Sequence, residues 1–215
     1  MIAIKSYNLK PILPFLAVVL LSTPLLGLEK GTVFAQLNAL HQSSLDVFFK
    51  NITYLGDASY ALLILLFFLY KKPLEWPFKF TVGFLIHGFF VHLFKQWLAK
   101  GVLRPYAYFT ESGTVDRYLW VEGVSMKMLN SFPSGHTTTV FFFASFMAVY
   151  AQKKELTYGL VVIAAIAAIS RVYLGQHWFL DIYVGALFGC CSTFLAQWIV
   201  QANPRKWHQN RLQWK

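Results

Sequence analysis

Charge is what this sequence has least of. Asp, Glu, Lys and Arg together make up 13% of its 215 residues, and only 9 of those are acidic; a soluble domain ordinarily carries about 25%. Cysteine is nearly missing as well. The two present, Cys190 and Cys191, stand side by side in an apolar run, which excludes a disulfide framework or a spaced zinc site and leaves them as small packing residues. No repeat of fixed period and no low-complexity stretch occurs. The shortage of acid leaves a formal net charge of +10. The basic residues sit in short clusters beside apolar runs and form no basic arm, so membrane topology accounts for them better than nucleic acid does.

What the chain has in abundance is hydrophobic surface, 57% of residues, with 18% aromatic. A bilayer core about 30 Å thick takes about 20 mostly apolar residues per helix. Apolar runs near 11–28, 59–70, 78–98, 137–151, 156–174 and 182–200 predict an all-α transmembrane bundle of six spans. The whole chain, 1–215, reads as a single membrane domain. The second run is short and is expected to borrow from the segment 47–55 or to lie tilted in a thinner zone.

Lysine and arginine gather at Lys5 and Lys10, at Lys71, Lys72 and Lys79, at Lys153 and Lys154, and in the tail at Arg205, Lys206, Arg211 and Lys215, with only Glu75 and Glu155 beside them. The alternate loops are nearly balanced. The positive-inside rule then puts both termini in the cytoplasm. The segments around Arg104, Ser134 and His177 fall together on the extracytoplasmic face, with the chain in a cell membrane, expectedly the bacterial inner one. The first run has a second reading as a cleaved signal sequence, since Lys5 and Lys10 precede it and Val33-Phe34-Ala35 resembles a small-residue cleavage site; the later topology is the same either way.

Chemistry concentrates between Lys95 and Asp181. Phe132-Pro133-Ser134-Gly135-His136 stands just before an apolar run, so Ser134 and Gly135 should occupy a helix N-terminal turn. Free backbone N–H groups and the helix dipole make such a turn a cradle for phosphate oxygens. A serine there is also a routine helix cap. His136, beside the cradle, is placed to donate a proton to a leaving oxygen. Ser170-Arg171 is followed by His177 and, four residues on, Asp181. If the chain is helical from Gln176, the pair shares a face. The carboxylate would then hold one ring nitrogen and leave the other free to attack phosphorus. The plainer reading is an ion pair at a helix end. Arg171, at the edge of an apolar span, either meets an anion or snorkels to the interface, and Lys95, ending the third run, is either an interfacial anchor or a further cation for that anion. Taken together, Lys95, Arg104 and Arg171 supply the positive charge that phosphoryl transfer requires on the equatorial oxygens.

These stretches resemble the three signature motifs of the type 2 phosphatidic acid phosphatase superfamily of lipid phosphatases: a Lys followed by Arg-Pro, then Pro-Ser-Gly-His, then Ser-Arg, five residues, His, three residues, Asp. Pro133-Ser134-Gly135-His136 and Ser170-Arg171 with His177 and Asp181 match in full. The first motif departs, because the family's six-residue gap falls on Trp97, whereas eight residues separate Lys95 from Arg104 and three separate Lys100 from it. Lys95, ending a span, is the expected contact. The resemblance implies His177 as nucleophile, Asp181 as its orienting partner and His136 as general acid. It also implies Lys95, Arg104, Ser134, Gly135 and Arg171 as phosphate ligands, with a phosphohistidine intermediate. Neither metal nor cofactor is expected, because three cationic side chains supply the electrostatics a metal would. The expected activity is hydrolysis of a lipid phosphomonoester or diphosphate, with undecaprenyl diphosphate, phosphatidate, phosphatidylglycerol phosphate and lipid A as candidates and membrane lipids as surroundings. The alternatives are a lipid phosphotransferase using the same site and a non-catalytic membrane transporter. Oligomeric state has no signature.

Among the remaining residues, His87 and His92 do not share a helical face and are expected in packing or an interhelical hydrogen bond. His41 and His208 are expected at solvent or an interface. The aromatic-rich loop 106–131 is read as a lid or headgroup site, or as an interfacial belt.

Overall fold

The computed structural model describes residues 8–70 and 72–212. Lys5, Lys71 and Lys215 of the charge pattern lie outside the described residues. The described residues contain nine α-helices, joined by short helical turns and loops: α1 (Leu13–Leu21), α2 (Thr32–Asn38), α3 (Ser43–Ile52), α4 (Tyr60–Leu69), α5 (Glu75–Leu93), α6 (Pro105–Glu111), α7 (Gly135–Ala151), α8 (Lys154–Tyr173) and α9 (Phe179–Ala202). Among those residues there is no strand, only an isolated bridge between Pro73 and Arg211.

Four stretches are long and apolar enough to cross a membrane: Lys10–Gly27, Glu75–Leu98, Lys154–Tyr173 and Phe179–Ala202. Ser43–Gly56 and Tyr60–Leu69 are apolar enough only as a pair and meet at a 51° bend, the geometry of a broken span or of a re-entrant loop; counted as one span, the pair makes five. The expected count of six would need α7 as well, whose 17 residues reach about 25 Å, just under the thickness of a bilayer core.

α7 is the centre of the bundle. Its residues from Thr137 to Phe146 are all buried, which an outer helix with a lipid-facing side would not allow. α9 lies against it through a small-residue seam. A Cβ on Gly189 would fall 2.6 Å from the Thr138 carbonyl oxygen, and one on Gly185 would fall 2.8 Å from that of Ser134. Two glycines four apart thus let the backbones touch, the device by which apolar helices associate where hydrophobic burial offers no preference. This contact sets the N-terminal turn of α7 beside that of α9. A belt of exposed Leu, Phe and Trp, including Leu62, Leu63, Leu85, Phe89 and Trp198, covers the outside, as expected of a surface facing lipid.

The loop 106–131 is more ordered than its composition suggests. It contains α6 and packs Phe109, Tyr118 and Trp120 around Phe34 of α2, with Trp178 against the same ring. Gly175, at φ +64°, lies where a Cβ would strike the Trp120 ring at 2.6 Å. Two expectations fail. His208 is buried where the C-terminal segment folds back over α5, against Phe78. The His41 side chain is 5% exposed, paired with Asp46 at 3.1 Å and stacked on Tyr173. In both, the ring's flat apolar face finds an aromatic partner. His87 does make an interhelical bond, its Nε2 lying 2.9 Å from Thr139 Oγ1.

Candidate active site

The chain passes from the π-type turn Phe94–Leu98 at the end of α5 into the loop that carries Arg104, and later through a cis Phe132–Pro133 bond into α7. The backbone N–H of Ser134 donates to the Asp181 carbonyl at 3.0 Å. That one bond joins the second and third motifs, which are 47 residues apart from Ser134 to Asp181, at one end of the bundle.

His177 is at the centre, 2% exposed. The expected helix from Gln176 is not formed: α9 starts at Phe179 behind an extended Trp178, because the Gln176 and His177 N–H groups both turn back to the Arg171 carbonyl. The pairing survives. His177 Nδ1 lies 3.2 Å from Asp181 Oδ2, and the same oxygen accepts from the Trp178 N–H at 2.9 Å and from the Ser131 hydroxyl. On the other side of the ring, Arg104 Nη1 is 3.3 Å from Nε2. A guanidinium only donates and a carboxylate only accepts. The neutral ring therefore carries its proton on Nδ1 and directs the Nε2 lone pair to Arg104. Burial, and after it the charges of Arg104, Arg171, Lys95 and His136, hold this imidazole well below the ordinary histidine value.

Arg104, 5% exposed, is anchored by backbone carbonyls: Nε to Leu129 at 2.9 Å, Nη1 to Gln176 at 2.7 Å and Nη2 to Asn130 at 3.3 Å. Lys95 Nζ donates to the same Asn130 carbonyl at 2.9 Å. Lys95 therefore converges with Arg104, while Lys100 is exposed. Arg171 donates from Nη1 to Thr53 Oγ1 at 2.7 Å, and its Nε is buried without a partner. Ser134 caps α7, its Oγ accepting from the Thr137 N–H at 3.4 Å. Thr138 is the first residue to bond a carbonyl one turn back, so the N–H groups of Gly135 and His136 stand ahead of it, at the positive end of the helix. His136 follows on the same turn, its backbone packed against Gly56.

Hydrogen bonds thus link Lys95, Arg104, Ser134, Arg171, His177 and Asp181 directly or through one backbone group, with Gly135 and His136 next to Ser134 on the first turn of α7. Sequence reasoning missed Asn130, Ser131 and Thr53. Asn130 carries a faint signal, since its φ of 57° is a conformation asparagine tolerates better than most residues; Thr53 carries none. Among the described residues no group of three or more His, Cys, Asp or Glu side chains is placed to hold a metal ion.

A model of the PAP2 superfamily matches residues 76–205. In Escherichia coli strain K12 the chain is similar to a protein named "Putative undecaprenyl-diphosphatase YbjG", with 37% identity over 100 residues, 44% of this chain and 50% of that one. It is also similar to the bacitracin transport permease protein BcrC of Bacillus licheniformis, 36% identical over 69 residues, 32% of this chain and 33% of that one. The chain therefore spans half or less of these curated relatives. Among solved structures it shares its fold with Aquifex aeolicus LpxE, at a TM-score of 0.65 and 24% identity over 78% of this chain and 93% of that one. A transmembrane PAP2-type phosphatidylglycerolphosphate phosphatase from Bacillus subtilis gives 0.60 and 23% over 93% and 100%.

Proposed function

Starting from the match over 76–205, by which this chain belongs to the PAP2 superfamily, we propose that it is a multi-pass membrane phosphatase that releases phosphate from a lipid through a phosphohistidine intermediate. In this reading 1–215 is one domain of six spans, both termini are cytoplasmic and the site opens at the extracytoplasmic end. The observation that carries it is the state of His177: buried, neutral, oriented by Asp181 and offering Nε2 into a ring of cations.

Nε2 attacks phosphorus as the P–O bond to the leaving group breaks, and the positive charge that develops on the ring is balanced by Asp181. Arg171, with its buried unpartnered Nε, Lys95 and the remaining Nη2 N–H of Arg104 hold the non-bridging oxygens. Ser134 and the N–H groups of the α7 turn complete the cradle. Gly135 fits this role because the protein itself does not require glycine there: a Cβ would meet only Val91, at an ordinary 3.6 Å. Close approach by a substrate oxygen accounts for it. His136 gives its proton to the leaving oxygen. Water, deprotonated by the same ring, then cleaves the phosphohistidine. No step calls for a metal or another cofactor.

Undecaprenyl diphosphate is the first substrate to test, since it is the lipid in the name of the 37% identical relative; phosphatidylglycerol phosphate, phosphatidate and lipid A follow. The name of BcrC raises a transport reading, which predicts flux without phosphate release. The deciding experiment is phosphate release by detergent-purified protein from this lipid panel, with and without chelator. Release should survive chelation, vanish in His177→Ala, and leave acid-labile radiolabel on the wild-type chain after rapid quenching. Release that requires metal, or that persists without His177, would refute the mechanism.

A further inference from the structure

The partners of α3 fix its height in the bundle. Tyr173, the last residue of α8, donates its hydroxyl to Asp46. Lys50 Nζ donates to the Glu122 carbonyl, in the loop between α6 and α7, at 2.7 Å. Thr53, one residue beyond α3, accepts from Arg171 Nη1 at 2.7 Å. Gly56 is pressed on the first turn of α7, where a Cβ would sit 2.5 Å from the His136 carbonyl oxygen. Every one of these partners lies at the end of the bundle that holds the site. A crossing helix advances about 1.5 Å per residue, so between Asp46 and Gly56 it would travel about 15 Å along α7 and α8. α3 instead stays level with their ends, and the 51° bend is where the chain turns down into α4.

A helix lying against water turns its charges outward, and α3 does the reverse. Asp46 is engaged by Tyr173 and His41, Lys50 by the loop carbonyl, and the Asn51 amide bonds back to the Val47 carbonyl at 2.7 Å. Leu45 and Phe49 fill the inner side, Phe49 against the Tyr173 ring. The outer side is apolar too: Val47, 61% exposed, with Phe48 and then Tyr54 and Leu55. Beyond the bend this surface runs on into exposed Leu62, Leu63 and Leu66 of α4, in the belt that faces lipid. Exposed Tyr54 and Tyr60, with Trp97 at the same end of α5, are of the types that anchor a membrane–water interface. We propose that α3 lies in the interface of the leaflet on the site side, its outer face covered by lipid, and so holds the active site at headgroup depth. This placement rests on the multi-pass part of the reading above and not on its chemistry. α4 then crosses by itself. Its 10 residues reach about 15 Å, so the bilayer thins around it and the headgroups come down toward Arg171 and His136. A lipid phosphate meets the site without leaving the membrane.

Nitroxide labels placed singly at Val47, Phe48, Asn51 and Leu55 test it, in the full chain carrying Cys190→Ala and Cys191→Ala and reconstituted in vesicles of phosphatidylethanolamine and phosphatidylglycerol. The ratio of relaxation by oxygen to relaxation by a water-soluble nickel chelate gives the depth of each label. The expected result is that all four lie about 5–10 Å below the phosphates, with no slope along the chain. A steady change of about 12 Å from Val47 to Leu55 would make α3 part of a span. Nickel access equal to that of a label at exposed Glu111 would put the face in water, and spin–spin broadening that disappears on dilution with unlabelled protein would cover it with a second copy. Each of these overturns the proposal. Val47→Asp combined with Phe48→Asp should raise the apparent KM for a long-chain lipid phosphate in vesicles severalfold, leaving hydrolysis of a water-soluble short-chain analogue and melting in detergent unchanged. Equal losses on both substrates would overturn it as well. Wild-type protein that releases phosphate from neither would refute the phosphatase reading and leave the depth measurement standing.

Discussion

Replacing Asp181 by asparagine isolates the electrostatic part of the proposed mechanism. The carboxylate is 2% exposed and its Oδ2 receives three donors: His177 Nδ1 at 3.2 Å, the Trp178 N–H at 2.9 Å and the Ser131 hydroxyl. An amide oxygen in the same place still accepts all three, so the ring keeps its tautomer. What disappears is a full negative charge beside an imidazole that becomes cationic as Nε2 bonds to phosphorus. A unit charge at that 3.2 Å is worth about 5 kcal/mol at an effective dielectric near 20. The ring charge is shared between two nitrogens and the amide dipole returns part of the loss, which leaves about 2–4 kcal/mol. That predicts a fall in kcat of roughly 10² to 10³. KM should change little, because the phosphate is held by Lys95, Arg104 and Arg171, and thermal stability should not fall, because a buried carboxylate is costly to desolvate. Steady-state phosphate release with the preferred lipid, alongside melting curves in the same detergent, reads all three. A folded Asp181→Asn protein within fivefold of wild-type kcat would refute the idea that charge on this residue drives the attack.

Three further outcomes are expected. Lys95→Ala should lower kcat/KM at least tenfold by removing a phosphate cation, while Lys100→Ala stays within twofold; the reverse order would reassign the first motif. Because the folded His177 value lies below the ordinary one of about 6.5, the unfolded chain binds its proton first. This contribution to stability is complete above about pH 6.5 and is lost as pH falls from there toward the folded value. Melting temperature should therefore drop between pH 7.5 and 5.5, with a shallower drop in His177→Gln, and an identical slope in both would count against it. Gly189→Val should destabilise the α7–α9 contact by about 1–3 kcal/mol and reduce activity with it, since its Cβ would meet backbone at 2.6 Å; unchanged melting would show that the seam can part.

The sequence by itself determined the membrane class, most of the helices and the identity of the groups that converge on His177. Apolar runs respond to a bilayer locally, and a histidine, a carboxylate and arginines in two intact motifs name a chemistry before any folding is known. It was weakest where geometry depends on neighbours. The count of spans turned on a bend at residues 53–59 and on the length of α7, and a hydrophobic run does not reveal whether its helix is straight. Lys95 could be separated from Lys100 only by seeing which amine reaches the Asn130 carbonyl beside Arg104. His41 and His208 are shielded by rings that lie far from them or face them only after folding. Tertiary structure alone decided that Thr53, Asn130 and Ser131 belong to the site. Each acts through one hydrogen bond across 50 or more residues, or through a backbone carbonyl that every residue type carries, and such contacts leave no pattern along the chain.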